Sequence, residues 1–181
     1  VDPANLVQTH LNLLLEDGKI VAVTEEEPEA DRVIDADGKV VAPGFIDIHM
    51  HEDPVKDDKI QFCIFDAMLR MGVTTAVGGN CGINVYDPVK YLDLLERDGA
   101  PVNVMMFAGH QYYREAAGAL DKYSPVTEEQ RKMMQKGLEE ALEAGCVGIS
   151  YGLRYVPGTG REEFLDTASC CQKEHRLISA H

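Results

Sequence analysis

The stretch of sequence that decides the fold is residues 41–51, which read VAPGFIDIHMH. The apolar run at 45–48 predicts a short strand, and His49 and His51 follow at its carboxyl end. Side chains two residues apart in an extended chain point to the same side, so the two imidazoles can bind one metal ion. Alone, such a pair is also typical of an ordinary polar loop, so other parts of the chain must distinguish the two interpretations.

After residue 44, short apolar strands alternate with helices. Further strands are predicted at 73–77, 102–107, 147–150 and 177–180. Helices are predicted at 60–69, 88–99, 127–145 and 162–174, the second opened by Asp87 and Pro88 and the third by a capping box at 127–130. This alternation predicts βαβ units and a parallel sheet. A (β/α)8 barrel needs eight strands and about 250 residues, so five strands leave it incomplete. The alternative is a self-contained, doubly wound domain.

The residues before 44 are predicted to be rich in β-structure. Asp-Gly turns at 17–18 and 37–38 each separate two short apolar runs, which predicts hairpins over 11–23 and 32–42. The fold class is therefore α/β, with a β-rich segment at 1–43 and about five βα units at 44–181.

Composition excludes several functions. The net charge of −14 argues against nucleic-acid binding and against docking on an anionic membrane. No apolar run approaches the roughly 20 residues of a membrane helix, and we expect no N-terminal leader. The odd number of cysteines and the lack of CxxC spacing predict free thiols and a cytoplasmic location. Four of them are expected to pack in the core: Cys63, Cys146, Cys170 and Cys171.

Two more strand ends carry metal-binding side chains. Cys81 lies in GGNCG at 78–82, directly after the strand at 73–77, and His181 ends the strand at 177–180. Cys81 could instead be a small buried apolar residue, as free cysteines often are. Because the carboxyl ends of parallel strands meet at one edge, the coincidence with His49 and His51 predicts a metal site there.

These residues together resemble the amidohydrolase superfamily. The stretch 41–51 is similar to the opening of that superfamily's TIM-like barrel, and the hairpins before it resemble its small β-sandwich domain. The motif GNCG at 79–82 resembles the D-aminoacylase branch, the N-acyl-D-amino-acid deacylases. Gly109-His110 and the stretch GLRYVPG at 152–158 are similar to the same branch.

The resemblance implies a set of ligands for zinc. One tight site would use Cys81, His181 and a histidine beyond residue 181. A second, weaker site would use His49 and His51, with the cysteine able to bridge. The general base is expected to be an aspartate beyond residue 181. Strand four lacks the lysine that bridges the metals in many relatives, which disfavours a dihydroorotase or a hydantoinase.

The implied activity is hydrolysis of a linear amide by metal-activated water, namely deacylation of an N-acyl-D-amino acid, a small-molecule substrate. Tyr155 and His110 are the expected substrate-binding residues, although a hydrogen-bonded structural role is about as well supported for His110. One alternative is another amidohydrolase reaction, a cyclic amidase or a deaminase. Another is an incomplete or degenerate fragment that binds metal without catalysis. The oligomeric state is not indicated.

Three weaker expectations complete the analysis. Asp47 is placed to support His49, or else to be a buried structural carboxylate. Arg114 and Arg154 could contact an anionic substrate, but they are expected on the solvated surface.

Overall fold

The computed structural model describes residues 1–173 and 175–181, which form two compact units, Val1–Gly44 and Phe45–His181. The first unit contains an antiparallel hairpin of β1 (Asn12–Glu16) and β2 (Lys19–Thr24). Asp17 and Gly18 both have positive φ at its turn, the geometry that matches the twist of a two-residue hairpin. The first predicted hairpin is confirmed.

The second predicted hairpin is wrong. Residues 32–42, all described, contain a turn in which Lys39 donates its N–H to the Ala36 carbonyl, but no strand. Val33, Ile34 and Val40 are each more than three-quarters exposed, at 81%, 76% and 77%. With their side chains this exposed, the two runs gain little from burial to offset the entropy of ordering strands.

The second unit is built on a five-stranded parallel sheet whose strands adjoin one another in chain order. The sheet strands are β3 (Phe45–Asp47), β6 (Val73–Gly78), β7 (Asn103–Gly109), β8 (Gly148–Tyr151) and β9 (Leu177–Ala180), and a small hairpin of β4 (Val55–Lys56) and β5 (Lys59–Ile60) follows β3. A doubly wound sheet reverses its strand order at a switch point, and this one does not. The sheet is a curled half-barrel, consistent with part of a TIM-like barrel.

Five described helices accompany the sheet: α1 (Ile64–Arg70), α2 (Pro88–Asp98), α3 (His110–Ala116), α4 (Glu128–Glu143) and α5 (Arg161–Lys173). The predicted caps are present. Asp87 accepts the Lys90 N–H ahead of Pro88, and Thr127 and Gln130 form a reciprocal capping box. The predicted end of the last helix, at Glu174, lies outside the described residues. Helix α3 was not predicted.

The predicted helix at 60–69 begins later than expected. Ile60 belongs to β5, and α1 starts at Ile64. Asp53 accounts for this start, because its carboxylate accepts the N–H groups of Cys63 and Ile64 through one oxygen and that of Phe65 through the other. A buried carboxylate thereby satisfies backbone donors that the first turn leaves free.

The core of this unit lies between the sheet and the helices and includes Phe65, Met106, Leu138 and Ile149. Three of the four cysteines expected there are buried, but Cys63 is exposed and its thiol donates to Asp53. All five cysteines are free thiols. Within the described part of the chain, no helix is both long and apolar enough to cross a membrane.

Candidate metal centre

Three predicted ligands converge at the carboxyl edge of the sheet. His49 and His51 follow β3, and Cys81 follows β6. Their ligand atoms all lie within 4.8 Å of one another, and Cys81 Sγ is 3.3 Å from His49 Nε2. The thiol is buried and both histidines are exposed, so the cluster opens to solvent on its imidazole side.

The spacing of the Cys81 thiol and the His49 imidazole fits a zinc ion. With bonds of about 2.0 Å to nitrogen and about 2.3 Å to sulfur, neighbouring ligand atoms of a tetrahedral zinc lie about 3.5 Å apart. The observed separation of 3.3 Å between the thiol and one imidazole is close to that value. Imidazole and thiolate are also ligands that zinc prefers.

The loop that carries Cys81 has an unusual backbone. Residues Asn80–Gly82 form one 3-10 turn, in which Cys81 has φ 60° and ψ 20°. This left-handed conformation is uncommon for a residue with a Cβ and persists only where the surroundings hold it. Gly79 and Gly82, with φ of 71° and 77°, adopt the same left-handed conformation without steric strain, because glycine has no Cβ. The glycine-rich motif therefore turns the chain sharply and presents the thiol to the histidines.

Hydrogen bonds connect this loop to the end of β3. The Asn80 side chain donates to the carbonyl oxygens of Val77 and Ile48, the latter directly before His49. Asp47 accepts the backbone N–H of His49 at 3.0 Å, so it supports the histidine through the main chain.

His181 lies beside the cluster. Its ring centroid is 6.2 Å from that of His49, and its backbone N–H donates to the Tyr151 carbonyl. The ring of Tyr155 stacks on His181 at 5.6 Å, with 13° between the planes. The three ligand atoms that converge within 4.8 Å do not include His181, so its place in the tight site stays a prediction. A contact between Tyr155 and substrate also stays a prediction.

His110 occupies a different environment. It is fully buried, and its Nε2 lies 2.9 Å from a carboxylate oxygen of Glu163. The Arg114 guanidinium contacts the same oxygen and donates to the Asp121 and Ser124 carbonyls. This burial agrees with the structural alternative for His110, and a substrate contact stays a prediction. The expected solvation of Arg114 is wrong, because its side chain is 2% exposed.

A second buried carboxylate lies next to the histidine pair. Glu52 accepts from the Asn84 side chain at 2.9 Å, and Asn84 also bonds the Phe107 carbonyl and the Gly109 N–H. Burial raises the pKa of Glu52 above its ordinary value, against hydrogen bonds that lower it. This network connects the ends of β3, β6 and β7.

Sequence reasoning missed several residues that support the site: Glu52, Asn80, Asn84, Ser150 and Glu163. Only Ser150 gave a usable signal. A hydroxyl in an otherwise apolar, buried strand must find a hydrogen-bond partner, so it indicates a specific contact.

Comparison with known proteins identifies the family. A family model described as "Amidohydrolase family" matches residues 32–153. The chain belongs to the amidohydrolase family. Within it, several relatives that cover most of this chain belong to the D-aminoacylase branch. An N-acyl-D-glutamate deacylase of Alcaligenes xylosoxydans xylosoxydans is 36% identical over 156 residues, covering 74% of this chain and 31% of the relative.

Solved structures of this amidohydrolase branch superpose well. An N-acyl-D-glutamate deacylase of Bordetella bronchiseptica, complexed with zinc and a phosphonate inhibitor, gives a TM-score of 0.81 at 31% identity, covering 94% of this chain and 40% of that one. A D-aminoacylase described for its binuclear metal centre gives 0.77 at 29% identity, covering 88% and 38%. The chain thus spans less than half the length of these relatives.

Proposed function

We propose that the protein carrying this chain is a zinc-dependent hydrolase that deacylates N-acyl-D-amino acids. The observation that carries the proposal is the convergence of two imidazoles and one thiol at the carboxyl edge of a parallel sheet, within 4.8 Å of one another. Solved relatives of the same fold are N-acyl-D-amino-acid deacylases, one of them bound to zinc and to a mimic of the tetrahedral intermediate.

We also propose how the chain is organised. Residues 44–181 are the first part of a metal-dependent hydrolase barrel, since the parallel strands stand in the sequential order of such a barrel. Residues 1–43 are the N-terminal part of a small β-sandwich domain, which would provide the apolar surface that Val33 and Val40 lack within their own unit.

Two sites share the thiol. Cys81 and His181, with a histidine beyond residue 181, would hold the tight zinc ion, and His49 and His51, together with Cys81, would hold a second, weaker one. The distance of 3.3 Å between Cys81 and His49 supports the sharing. Zinc at such a site polarises a carbonyl and lowers the pKa of a bound water to about 7. Strand β8 reads GISY and offers no lysine as an alternative bridge.

The residues of this chain place the substrate and the ligands. Tyr155 is 40% exposed and stacked on His181, and its hydroxyl would donate a hydrogen bond to a small acyl amide. The stacking also restricts the orientation of the His181 ring. By the same resemblance, residues 1–181 would bind metal and substrate, and an aspartate outside them would act as the general base. The free thiols support a cytoplasmic location.

Replacing Cys81 by Ala in the complete protein tests this function. We expect zinc content and turnover of N-acetyl-D-amino acids to be lost together, because the thiol belongs to both proposed sites. Cys146→Ala is the matched control, since it removes another buried thiol away from the ligands and should retain zinc. Elemental analysis of the purified proteins and a deacylation assay give the two readouts. Full zinc and full turnover in Cys81→Ala would refute the assignment.

The reaction itself is tested by substrate choice. We expect release of the free amino acid from N-acetyl-D-amino acids, with much slower turnover of the L-enantiomers and of cyclic amides. Faster opening of a cyclic amide would instead identify a cyclic amidase. Zinc retained without any turnover would identify a protein that binds metal and does not catalyse.

A further inference from the structure

The end of strand β8 forms a seat for the loop that carries Cys81. The Ser150 hydroxyl donates to the carbonyl of Gly79, and it accepts the N–H of Gly82 at 2.9 Å. One side chain therefore binds the residues on both sides of Asn80 and Cys81. Ser150 is fully buried, so water does not compete for these two hydrogen bonds.

A second contact from the same strand end acts on Cys81 itself. Gly152 lies against the Cys81 backbone so closely that a Cβ there would overlap the cysteine's carbonyl oxygen. Ser150 therefore hydrogen-bonds the two ends of the turn, and Gly152 leaves room for the Cys81 carbonyl in its middle. Ser150 lies in β8 and Gly152 directly follows that strand, whereas the loop follows β6.

The conformation of Cys81 requires such a seat. At φ 60° and ψ 20°, the cysteine occupies a region that residues with a Cβ rarely adopt. If the turn relaxed to a common conformation, the Cα–Cβ bond would change direction and Sγ would leave its position 3.3 Å from His49 Nε2. The direction of the thiol thus depends on what fixes Gly79 and Gly82.

We propose that Ser150 is a positioning residue for the metal-binding thiol. Its hydroxyl bonds the Gly79 carbonyl and the Gly82 N–H, and so fixes the left-handed turn that points Cys81 Sγ at the histidine pair. This role rests on the proposed metal site. It means that a residue of β8 orients a ligand that follows β6, two strands away in the sheet. Polar partners that orient a ligand in this way commonly change metal affinity by about 10- to 100-fold.

The test is the substitution Ser150→Ala in the complete protein, with Co²⁺ and Zn²⁺ as probes. We expect metal affinity, measured by competition with a chelator, to fall by at least about 10-fold. We also expect the thiolate-to-cobalt charge-transfer band to weaken per bound ion, because Sγ no longer points at the metal. A purely structural serine would not change this band in molecules that remain folded.

Thr167→Val is the matched control. Thr167 is fully buried, and its hydroxyl bonds the Tyr151 hydroxyl and the Glu163 carbonyl away from the cysteine loop. We expect Thr167→Val to lower the melting temperature about as much as Ser150→Ala does. Its metal affinity and its cobalt band should stay unchanged. The proposal is overturned if Ser150→Ala retains metal affinity and the cobalt band, or if Thr167→Val loses them. It is also overturned if Ser150→Ala does not fold, since the hydroxyl would then serve folding alone.

The design separates this proposal from the proposed function. If the unsubstituted protein binds neither ion, or if Cys81→Ser keeps the cobalt band, the metal site itself is refuted and the role of Ser150 with it. If the unsubstituted protein binds through Cys81 and Ser150→Ala binds equally well, only the positioning role fails.

Discussion

At the scale of single residues, the metal centre depends on close backbone approaches. A Cβ at Gly152 would overlap the Cys81 carbonyl oxygen and lie 2.6 Å from the Tyr155 ring. Gly152→Ala therefore has to displace the cysteine loop, the tyrosine or both. We expect zinc affinity to fall at least about 10-fold and stability to fall by about 1–3 kcal/mol. A chelator competition and a thermal melt measure the two effects.

Gly160→Ala is the control for this prediction. Gly160 lies at the other end of the same connection between β8 and α5, and a Cβ there meets no heavy atom within 4 Å. Its effect on stability should stay within about 0.5 kcal/mol, with unchanged zinc affinity. Equal behaviour of the two alanine variants would show that the contact at Gly152 does not matter.

The sequence was sufficient to predict that His49, His51 and Cys81 converge, and insufficient to predict the residues that hold them in place. His49 and His51 are two residues apart in extended chain, so their common direction follows from local geometry. Ser150 could not be placed in this way, because its partners Gly82 and Gly79 are 68 and 71 residues away. Contacts over such separations depend on strand order and register, which the residues do not encode locally.

At the scale of elements, a buried ion-pair network connects α3 to α5. Glu163, in the first turn of α5, binds both His110 and Arg114, and all three side chains are nearly inaccessible to solvent. Glu163→Ala leaves the arginine buried without its carboxylate partner, so we expect the free energy of unfolding to fall by about 3–5 kcal/mol. Unfolding in denaturant measures this free energy.

Glu162 provides the comparison in the same helical turn. It pairs with Arg131, but its side chain is 82% exposed. Exposed ion pairs contribute little, so Glu162→Ala should cost less than about 1 kcal/mol. If the two alanine variants lost equal stability, the buried network would not stabilise the fold as inferred.

The same carboxylate predicts an acid-dependent loss of stability. Burial alone would raise the pKa of Glu163, but hydrogen bonds from His110 and Arg114 outweigh it and hold the pKa below its ordinary value. The folded state therefore favours the ionised form. This contribution is complete above the unfolded pKa of about 4.3 and is lost as the pH falls through the folded value. The Gly160 N–H also donates to the Glu163 carboxylate, through Oε2 at 3.4 Å.

Glu163→Gln checks this sign. Its free energy of unfolding, measured from neutral pH down to the acid transition, should decline less steeply below about pH 4.3 than that of the unsubstituted protein. Parallel acid profiles for the two proteins would mean that Glu163 has the same pKa folded and unfolded.

Elements were predicted well where local chemistry determined them and poorly where it did not. Thr127 and Gln130 define the start of α4 within four residues, and the structure shows both hydrogen bonds. Ile60 has helical spacing to Ile64, yet positive φ angles at Asp57 and Asp58 turn the chain into the hairpin of β4 and β5. The helical spacing of the apolar residues alone could not reveal that turn.

At the scale of the whole molecule, the parallel sheet ends in two apolar edges. Phe45 and Ile46 on β3 are 69% and 66% exposed, and Leu177 and Ile178 on β9 are 61% and 50% exposed. A closed barrel has no edges, whereas an open one presents unpaired backbone groups that pair readily with other chains. Ile178 also lines an open cleft beside Leu165 of α5. These surfaces are the physical argument for further βα units beside β3 and β9.

The corresponding prediction concerns the 181-residue chain expressed alone. We expect it to self-associate as its concentration rises, measured by size-exclusion chromatography with light scattering, because both sheet edges expose apolar side chains. Ile178→Lys places a charge on the β9 edge and should shift the chain toward the monomer. Leu120→Lys, at a loop residue that is 78% exposed, adds the same charge away from the sheet and should not. A chain that stays monomeric and melts cooperatively without either substitution would instead support a self-contained domain, in which the exposed edges are tolerated.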